Sequence, residues 1–137
     1  MQRSGGVVLL ALSLILVLAR HTPPDVSGIY DTKVSLLEST CPFEVQSNPT
    51  EVAQYGDSTI ITLRHAGTTY QGTLAADSSF RTQTKALDFN GTRYEITITG
   101  RFTGRALTAR VTLRYGDPVC RAVVAWDGPR RTSGRAD

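Results

Sequence analysis

The sequence predicts an all-β fold, and three observations support this prediction. From Tyr94 to Ile98 apolar and polar side chains alternate, and the alternation resumes from Leu107 to Tyr115. Because successive side chains of a strand point to opposite faces, this period of two predicts an antiparallel pair with one dry and one wet face. The rest of the chain offers short strand patterns separated by Gly, Pro, Asn and Asp, and no amphipathic helix. Since one hairpin is marginal in water, further strands must cover the dry face.

The strands are predicted in order along the chain. The first runs from Ser27 to Leu37, with Tyr30, Thr32, Val34 and Leu36 predicted to face inward. A less regular segment after it contains Phe43 and Val45, which could also face inward. Further strands follow at Glu51 to Gln54, Ser58 to His65, Thr68 to Leu74, Phe80 to Leu87, Thr92 to Thr99, Leu107 to Tyr115 and Cys120 to Trp126. In the strand from Phe80 to Leu87 the side chains predicted to face inward are Phe80, Thr82, Thr84 and Ala86. The connection between the central pair is predicted to be a turn from Gly100 to Gly104, and Asn90-Gly91 predicts the preceding hairpin turn.

Length and charge limit the possible classes of protein. A chain of 137 residues with 40% hydrophobic and 20% charged residues fits one globular domain. The net charge of +3 is too small to indicate nucleic-acid binding, but it is unevenly distributed. Residues 20–90 carry five basic and eight acidic residues (net −3), and residues 91–137 carry nine basic and four acidic residues (net +5). The second half is therefore a candidate surface for an anionic partner, although arginines on the wet faces of strands would give the same asymmetry.

The first nineteen residues are predicted to form an apolar N-terminal helix, which has two interpretations. Arg3 precedes an uncharged run from Gly5 to Ala19. This pattern is typical of a secretory signal peptide cut after Ala19. An uncleaved membrane anchor is the alternative, although the run is shorter than the roughly 20 residues that span a bilayer comfortably. Both interpretations place the domain outside the cytoplasm, on the periplasmic side. Residues 20–26, which contain Pro23 and Pro24, are predicted to be a stiff spacer.

The two cysteines agree with an oxidising compartment. Cys41 follows the first predicted strand and Cys120 lies in the last one. An even pair this far apart in an extracytoplasmic protein predicts one disulfide. A redox-active pair would be closer in sequence. The bond would bring the exit of the first strand beside the last strand, and we therefore expect an antiparallel meander of about eight strands that rolls into a barrel.

Several short motifs resemble those of the small bacterial lipocalin-like domains, and the resemblance covers most of residues 26–130. The motifs are Ser27-Gly28-Ile29-Tyr30, Ser39-Thr40-Cys41-Pro42, Tyr70-Gln71-Gly72, Thr99-Gly100-Arg101-Phe102-Thr103-Gly104, and Cys120 with Trp126-Asp127-Gly128. The resemblance implies a lipocalin-like barrel at residues 27–127. Gly, Pro, Ser and Arg in residues 128–137 predict a flexible Arg-rich tail. Where true lipocalins carry Gly-x-Trp, this chain has Gly28-Ile29-Tyr30.

The residue types that perform catalysis do not form a recognisable pattern. His21 and His65 are the two histidines, and His65 precedes the Ala66-Gly67 turn, where we expect an exposed side chain. Acidic residues lie singly on turns and outer faces, and no serine is paired with a base by pattern. We therefore expect a protein without enzymatic activity, cofactor or metal site.

Inward-facing aromatic residues are the candidate ligand-binding groups. They are Tyr70, Phe80, Tyr94, Tyr115 and Trp126. Three interpretations remain open: they fill the interior of the barrel, they line a pocket for a small apolar ligand, or some of them contact a protein partner.

Two functions follow from these patterns. The first is a non-catalytic accessory subunit, tethered through residues 1–19, that docks on a larger membrane complex of respiratory or photosynthetic type. Its candidate partner-binding residues are Arg101, Arg105, Arg130 and Arg131, in a predicted turn and in the tail. The alternative is a lipocalin-like carrier, which requires an interior cavity of at least about 300 Å³.

Overall fold

The computed structural model describes residues 23–132, which form an antiparallel meander curled into a half-barrel. Its ten strands are β1 Gly28–Tyr30, β2 Lys33–Ser39, β3 Thr50–Tyr55, β4 Ile60–His65, β5 Thr68–Leu74, β6 Ser79–Thr82, β7 Lys85–Phe89, β8 Thr92–Thr103, β9 Ala106–Tyr115 and β10 Cys120–Pro129. The sheet order is β1-β3-β4-β5-β6-β8-β9-β10-β2, and β7 pairs with β8. The all-β prediction is confirmed for this part of the chain. The predicted N-terminal helix, at residues 1–19, lies outside the described residues.

No helix in residues 23–132 has the length and apolar character needed to cross a membrane. Residues 23–26, the described part of the predicted spacer, lie at one end of the sheet. Val26 is buried, and its backbone N–H donates to the side chain of Gln54 at 2.9 Å.

The first predicted strand is two strands. β1 pairs with β3, whereas β2 pairs with β10, so the chain changes neighbours at Asp31 and Thr32. At this point the Asp31 N–H donates to the Pro129 carbonyl, and Thr32 is buried. β2 is the last strand of the sheet order, and Leu36, predicted to face inward, is consequently 39% exposed.

The strand predicted from Phe80 to Leu87 also divides. β6 lies between β5 and β8, whereas β7 pairs with β8 alone. Phe80 and Thr82 are buried as predicted. Thr84 and Ala86, predicted to face inward, are exposed because β7 has no second neighbour.

The predicted turn from Gly100 to Gly104 is wrong, because β8 continues to Thr103 and the hairpin turn is Gly104-Arg105. Gly100 is a strand residue, and a Cβ atom there would stand 2.8 Å from both Phe80 and Ala109. Gly104 has a φ of +58°, which glycine adopts without steric cost. One glycine permits close packing and the other permits the turn.

The predicted disulfide is confirmed. Cys41 and Cys120 are bonded, with their Cα atoms 5.7 Å apart. Cys41 lies two residues beyond β2 and Cys120 opens β10, so the bond reinforces the pairing of these two strands.

Aromatic side chains fill one end of the half-barrel, which we call the filled end. The ring of Phe102 lies 5.4 Å from that of Tyr30 and 5.1 Å from that of Phe80. All three side chains are buried, and the Tyr30 hydroxyl donates to the Val26 carbonyl at 2.8 Å. The opposite end, where the connections β2–β3, β4–β5, β7–β8 and β9–β10 meet, is called the cavity end.

Candidate functional site

An apolar cavity of about 300 Å³ opens at the cavity end. It exists because β2 and β3 are not paired with each other here: β2 continues along β10, whereas β3 begins only at Thr50. The walls come from β2, β5, β8, β9 and β10, and the apolar side chains they contribute are Val34, Tyr70, Ile96, Val111, Leu113, Val124 and Trp126.

Residues 40–49, which we call the flap, cross the gap between β2 and β3. The flap contains no strand, and its side chains Phe43 and Val45 complete the apolar wall. The Phe43 ring packs 5.6 Å from that of Tyr115. The flap is fastened at its start by Cys41 and by the Thr40 N–H, which donates to the Arg121 carbonyl at 2.9 Å. Near its end the Val34 N–H donates to the Ser47 hydroxyl at 2.9 Å.

A chain of hydrogen bonds runs from the flap to the cavity wall. The Thr32 hydroxyl donates to the Asn48 carbonyl at 2.6 Å. The hydroxyls of Thr32 and Thr50 are 2.7 Å apart, and Thr50 Oγ1 is 2.9 Å from Nδ1 of His65. Thr32 and Thr50 are both buried, so the chain satisfies polar groups that water does not reach.

The sequence prediction that His65 has an exposed side chain is wrong. It ends β4 and is half-buried, lines the cavity and stacks on Trp126 with ring centroids 4.1 Å apart. Burial lowers the pKa of His65 to about 4, so the imidazole is neutral at pH 7. The signal was available in the sequence, because His65 has the same strand parity as the inward-facing Ile61 and Leu63.

The structure divides the five predicted ligand-lining aromatics into three groups. Tyr70 and Trp126 line the cavity. Tyr94 and Tyr115 stack on each other at 5.2 Å beside it, in contact with the flap through Phe43. Phe80 lies at the filled end and takes no part in the cavity. The flap residues Phe43 and Val45 were not among the predicted lining residues, because their segment has no regular period.

Three of the four predicted partner-binding arginines line one groove at the filled end, and Arg101 lines a different groove. Arg101 lies in β8 rather than in a turn, and forms an exposed ion pair with Asp77 at 3.4 Å. Arg105 lies in the β8–β9 turn. Arg130 donates to the carbonyls of Asp25 and Ser27, and Arg131 is paired with Asp31 at 2.8 Å. The last strand reaches Pro129, beyond the predicted start of the tail at residue 128, and residues 133–137 lie outside the described part.

The arginines Arg105, Arg130 and Arg131 line a surface groove of about 480 Å³, together with residues of β1. Across residues 23–132 no three His, Cys, Asp or Glu side chains lie close enough to hold a metal ion.

Comparison of the chain with protein families, with curated proteins and with solved structures finds no match.

Proposed function

We propose that this protein is a non-catalytic, extracytoplasmic carrier that holds a small apolar molecule in a lipocalin-like barrel. The observation that carries the proposal is the cavity of about 300 Å³ with Tyr70 and Trp126 in its wall. Ligand pockets in proteins begin at about this volume and are mostly apolar with a few polar groups. The cavity has this character, since its strand wall is mostly apolar and the half-buried His65 is one of its few polar groups.

Contacts between the first and last strands support a barrel of about eight strands. Tyr30 and Arg130 form an isolated antiparallel bridge, and the Arg131 N–H donates to the Ile29 carbonyl at 2.7 Å. These bonds link β1 to the end of β10, while β2 remains paired with β10 further along. The disulfide supports an extracytoplasmic location, because such bonds persist in oxidising compartments.

Titration with naphthalene tests the proposal, with the indole N–H signal of Trp126 in ¹H–¹⁵N spectra as the reporter. Trp126 is the single tryptophan of the chain, so its signal is unambiguous. We expect a saturable shift of this signal and of the amides of Val34, Val111 and Leu113. An unchanged spectrum at saturating probe would contradict the proposal.

A matched pair of variants locates the binding. Val34→Phe adds a ring to the cavity wall, and Leu37→Phe adds a ring to the exposed side of the same strand, where Leu37 is 50% exposed. We expect Val34→Phe to weaken naphthalene binding at least about tenfold while Leu37→Phe leaves it unchanged, because a ring occupies much of so small a cavity. Equal effects in the two variants would place the binding elsewhere.

A second function, docking as an accessory subunit on a larger membrane complex, is favoured by the arginines at the filled end. In this proposal the segment 1–19 tethers the domain and Arg101 and Arg105 contact an acidic surface of the partner. We expect Arg101→Glu with Arg105→Glu to abolish co-purification with the complex from native membranes. Arg93→Glu with Arg121→Glu is the control, since both residues are exposed at the cavity end. Co-purification that survives the first pair would exclude docking through the filled end.

A further inference from the structure

His65 is held in one tautomer by the hydrogen-bond chain that begins in the flap. A backbone carbonyl accepts only, so the Thr32 hydroxyl must give its single proton to Asn48. Thr32 therefore accepts from Thr50, and Thr50, whose proton is now used, accepts from the ring. Nδ1 of His65 consequently carries the proton, and Nε2 is an unprotonated acceptor.

This acceptor has no protein partner. Within residues 23–132 the His65 ring forms one hydrogen bond, from Nδ1 to Thr50 Oγ1. Trp126 stacks on one face of the ring. Nδ1 faces Thr50, so Nε2 is the ring nitrogen that remains available to a molecule in the cavity.

The other polar groups of the wall do not discriminate between ligands in this way. Gln46, Asn48 and Tyr70 each carry both donor and acceptor atoms. In the described residues, one more ionisable side chain lines the cavity apart from His65 and Tyr70. It is Glu44, and it is exposed. A carboxylate such as that of Glu44 also only accepts when ionised, but Glu44 is exposed to water, whereas His65 is half-buried and its role is fixed by its own chain of hydrogen bonds.

We propose that the ligand is an apolar molecule carrying one hydroxyl or N–H group, which donates a hydrogen bond to Nε2 of His65. This inference rests on the carrier function proposed above. It makes His65 a specificity-determining residue and Thr32 and Thr50 positioning residues. A carboxylate in the same place would set its lone pairs against that of Nε2, so fatty acids and other apolar anions are disfavoured.

A series of probes with one carbon skeleton tests the inference on the full chain. Naphthalene, 2-methoxynaphthalene, 2-naphthol and 2-naphthoate differ in whether they carry a donor, an acceptor or a charge. With the Trp126 signal as readout, we expect 2-naphthol to bind about 3- to 10-fold more tightly than 2-methoxynaphthalene, as one net hydrogen bond provides. We expect 2-naphthoate to bind most weakly at pH 7.

The variant His65→Phe keeps an aromatic ring on Trp126 and removes the acceptor. We expect it to lose the preference for 2-naphthol, so that the ratio of the dissociation constants of 2-methoxynaphthalene and 2-naphthol falls to about one. If the wild type binds all neutral probes equally, the inference is overturned while the carrier function stands. If no probe binds, both are overturned.

The tautomer is measured separately from binding. Long-range ¹H–¹⁵N spectra distinguish the protonated from the unprotonated ring nitrogen, and we expect the proton on Nδ1 of His65 at pH 7. Thr50→Val removes the acceptor for that proton, and we expect a mixture of tautomers and a reduced preference for 2-naphthol, a readout that loss of packing alone would not produce. A proton on Nε2 in the wild type would overturn the inference.

Discussion

The two ends of the half-barrel are built from similar residues and differ in how the first and last strands meet. At the filled end the backbone of β1 bonds to the end of β10, and Tyr30, Phe80 and Phe102 occupy the interior. At the cavity end the irregular flap takes the place of a strand neighbour, and the aromatic pair Tyr94 and Tyr115 stands beside an opening.

The difference shows that the mode of closure, rather than the supply of aromatic side chains, determines where the interior is empty. Paired strands hold opposite walls at a spacing that side chains fill, whereas the flap leaves the wall of β2 without a neighbour. Among residues 23–132, exposed large apolar side chains are more numerous towards the cavity end, at Leu36, Leu37, Val45, Phe89 and Val119, than towards the filled end, at Ile29 and Tyr55. The packed filled end thus stabilises the fold, and the cavity end remains available for binding.

Truncation at the filled end is expected to have the largest effect. Phe102→Ala removes a ring that is 5% exposed and contacts both Tyr30 and Phe80. We expect the free energy of unfolding to fall by about 3–5 kcal/mol, because the cavity left behind cannot collapse fully. Phe89→Ala is the control: Phe89 is 66% exposed, and we expect a change within about 0.5 kcal/mol in urea denaturation. Similar losses in the two variants would contradict a filled end.

Loss of the disulfide is expected to destabilise the cavity end. Cys41→Ala with Cys120→Ala removes a link between residues 79 apart, and we expect the free energy of unfolding to fall by about 2–4 kcal/mol. In hydrogen exchange the amides of β2 and the flap should lose protection first, while those of β8 and β9 near Phe102 retain it. Uniform loss of protection would show that the two ends are not independent.

The buried imidazole should make stability depend on pH. The folded-state pKa of His65, about 4, lies below the unfolded value of 6.5. The fold therefore favours the neutral ring, and this contribution is fully present above pH 6.5 and is lost as the pH falls from 6.5 towards 4. We expect a loss of roughly 2 kcal/mol across this window, allowing for the partial exposure of the ring.

His65→Phe provides the comparison for this pH dependence. It should flatten the dependence of unfolding free energy between pH 6.5 and 4, and His21 is present in both proteins, so its titration cancels in the difference. A wild-type profile parallel to that of His65→Phe would mean that the ring is solvated.

The strand pattern and the disulfide could be predicted from the sequence because both rest on local signals. Alternation identified the buried faces of β4, β5, β9 and β10, and two cysteines admit one pairing. The breaks at Asp31-Thr32 and between β6 and β7 could not be predicted, because they occur where a strand changes neighbours, which is a property of the assembled sheet. Gly100 and Gly104 look alike in the sequence, but Gly100 is a strand residue packed against Phe80 and Ala109, whereas Gly104 has a positive φ in the turn.

The candidate site was predicted only in part for the same reason. Tyr70 and Trp126 lie on regular strands, so their inward direction followed from parity. Phe43 lies in the flap, where no period exists, and the role of His65 depends on hydroxyls from two distant segments, Thr32 and Thr50. Alternation along a regular strand shows which side chains face inward. It does not show which end of the interior these side chains leave empty.

Substitution of Tyr by Phe should change the free energy of unfolding in opposite directions at the two ends. The expected effects are the smallest, but they give the sharpest test of the comparison. The hydroxyl of Tyr30 donates to the Val26 carbonyl, whereas that of Tyr115 is buried without a hydrogen-bond partner in residues 23–132. Tyr30→Phe loses a satisfied bond, and we expect the protein to be destabilised by about 1 kcal/mol. Tyr115→Phe removes a hydroxyl whose burial is not compensated, and we expect no loss or a gain of about 1 kcal/mol. Urea denaturation of the two variants side by side measures both changes. A loss in Tyr115→Phe as large as that in Tyr30→Phe would mean that the hydroxyl of Tyr115 has a partner, such as a bound water, and that the cavity end is as fully satisfied as the filled end.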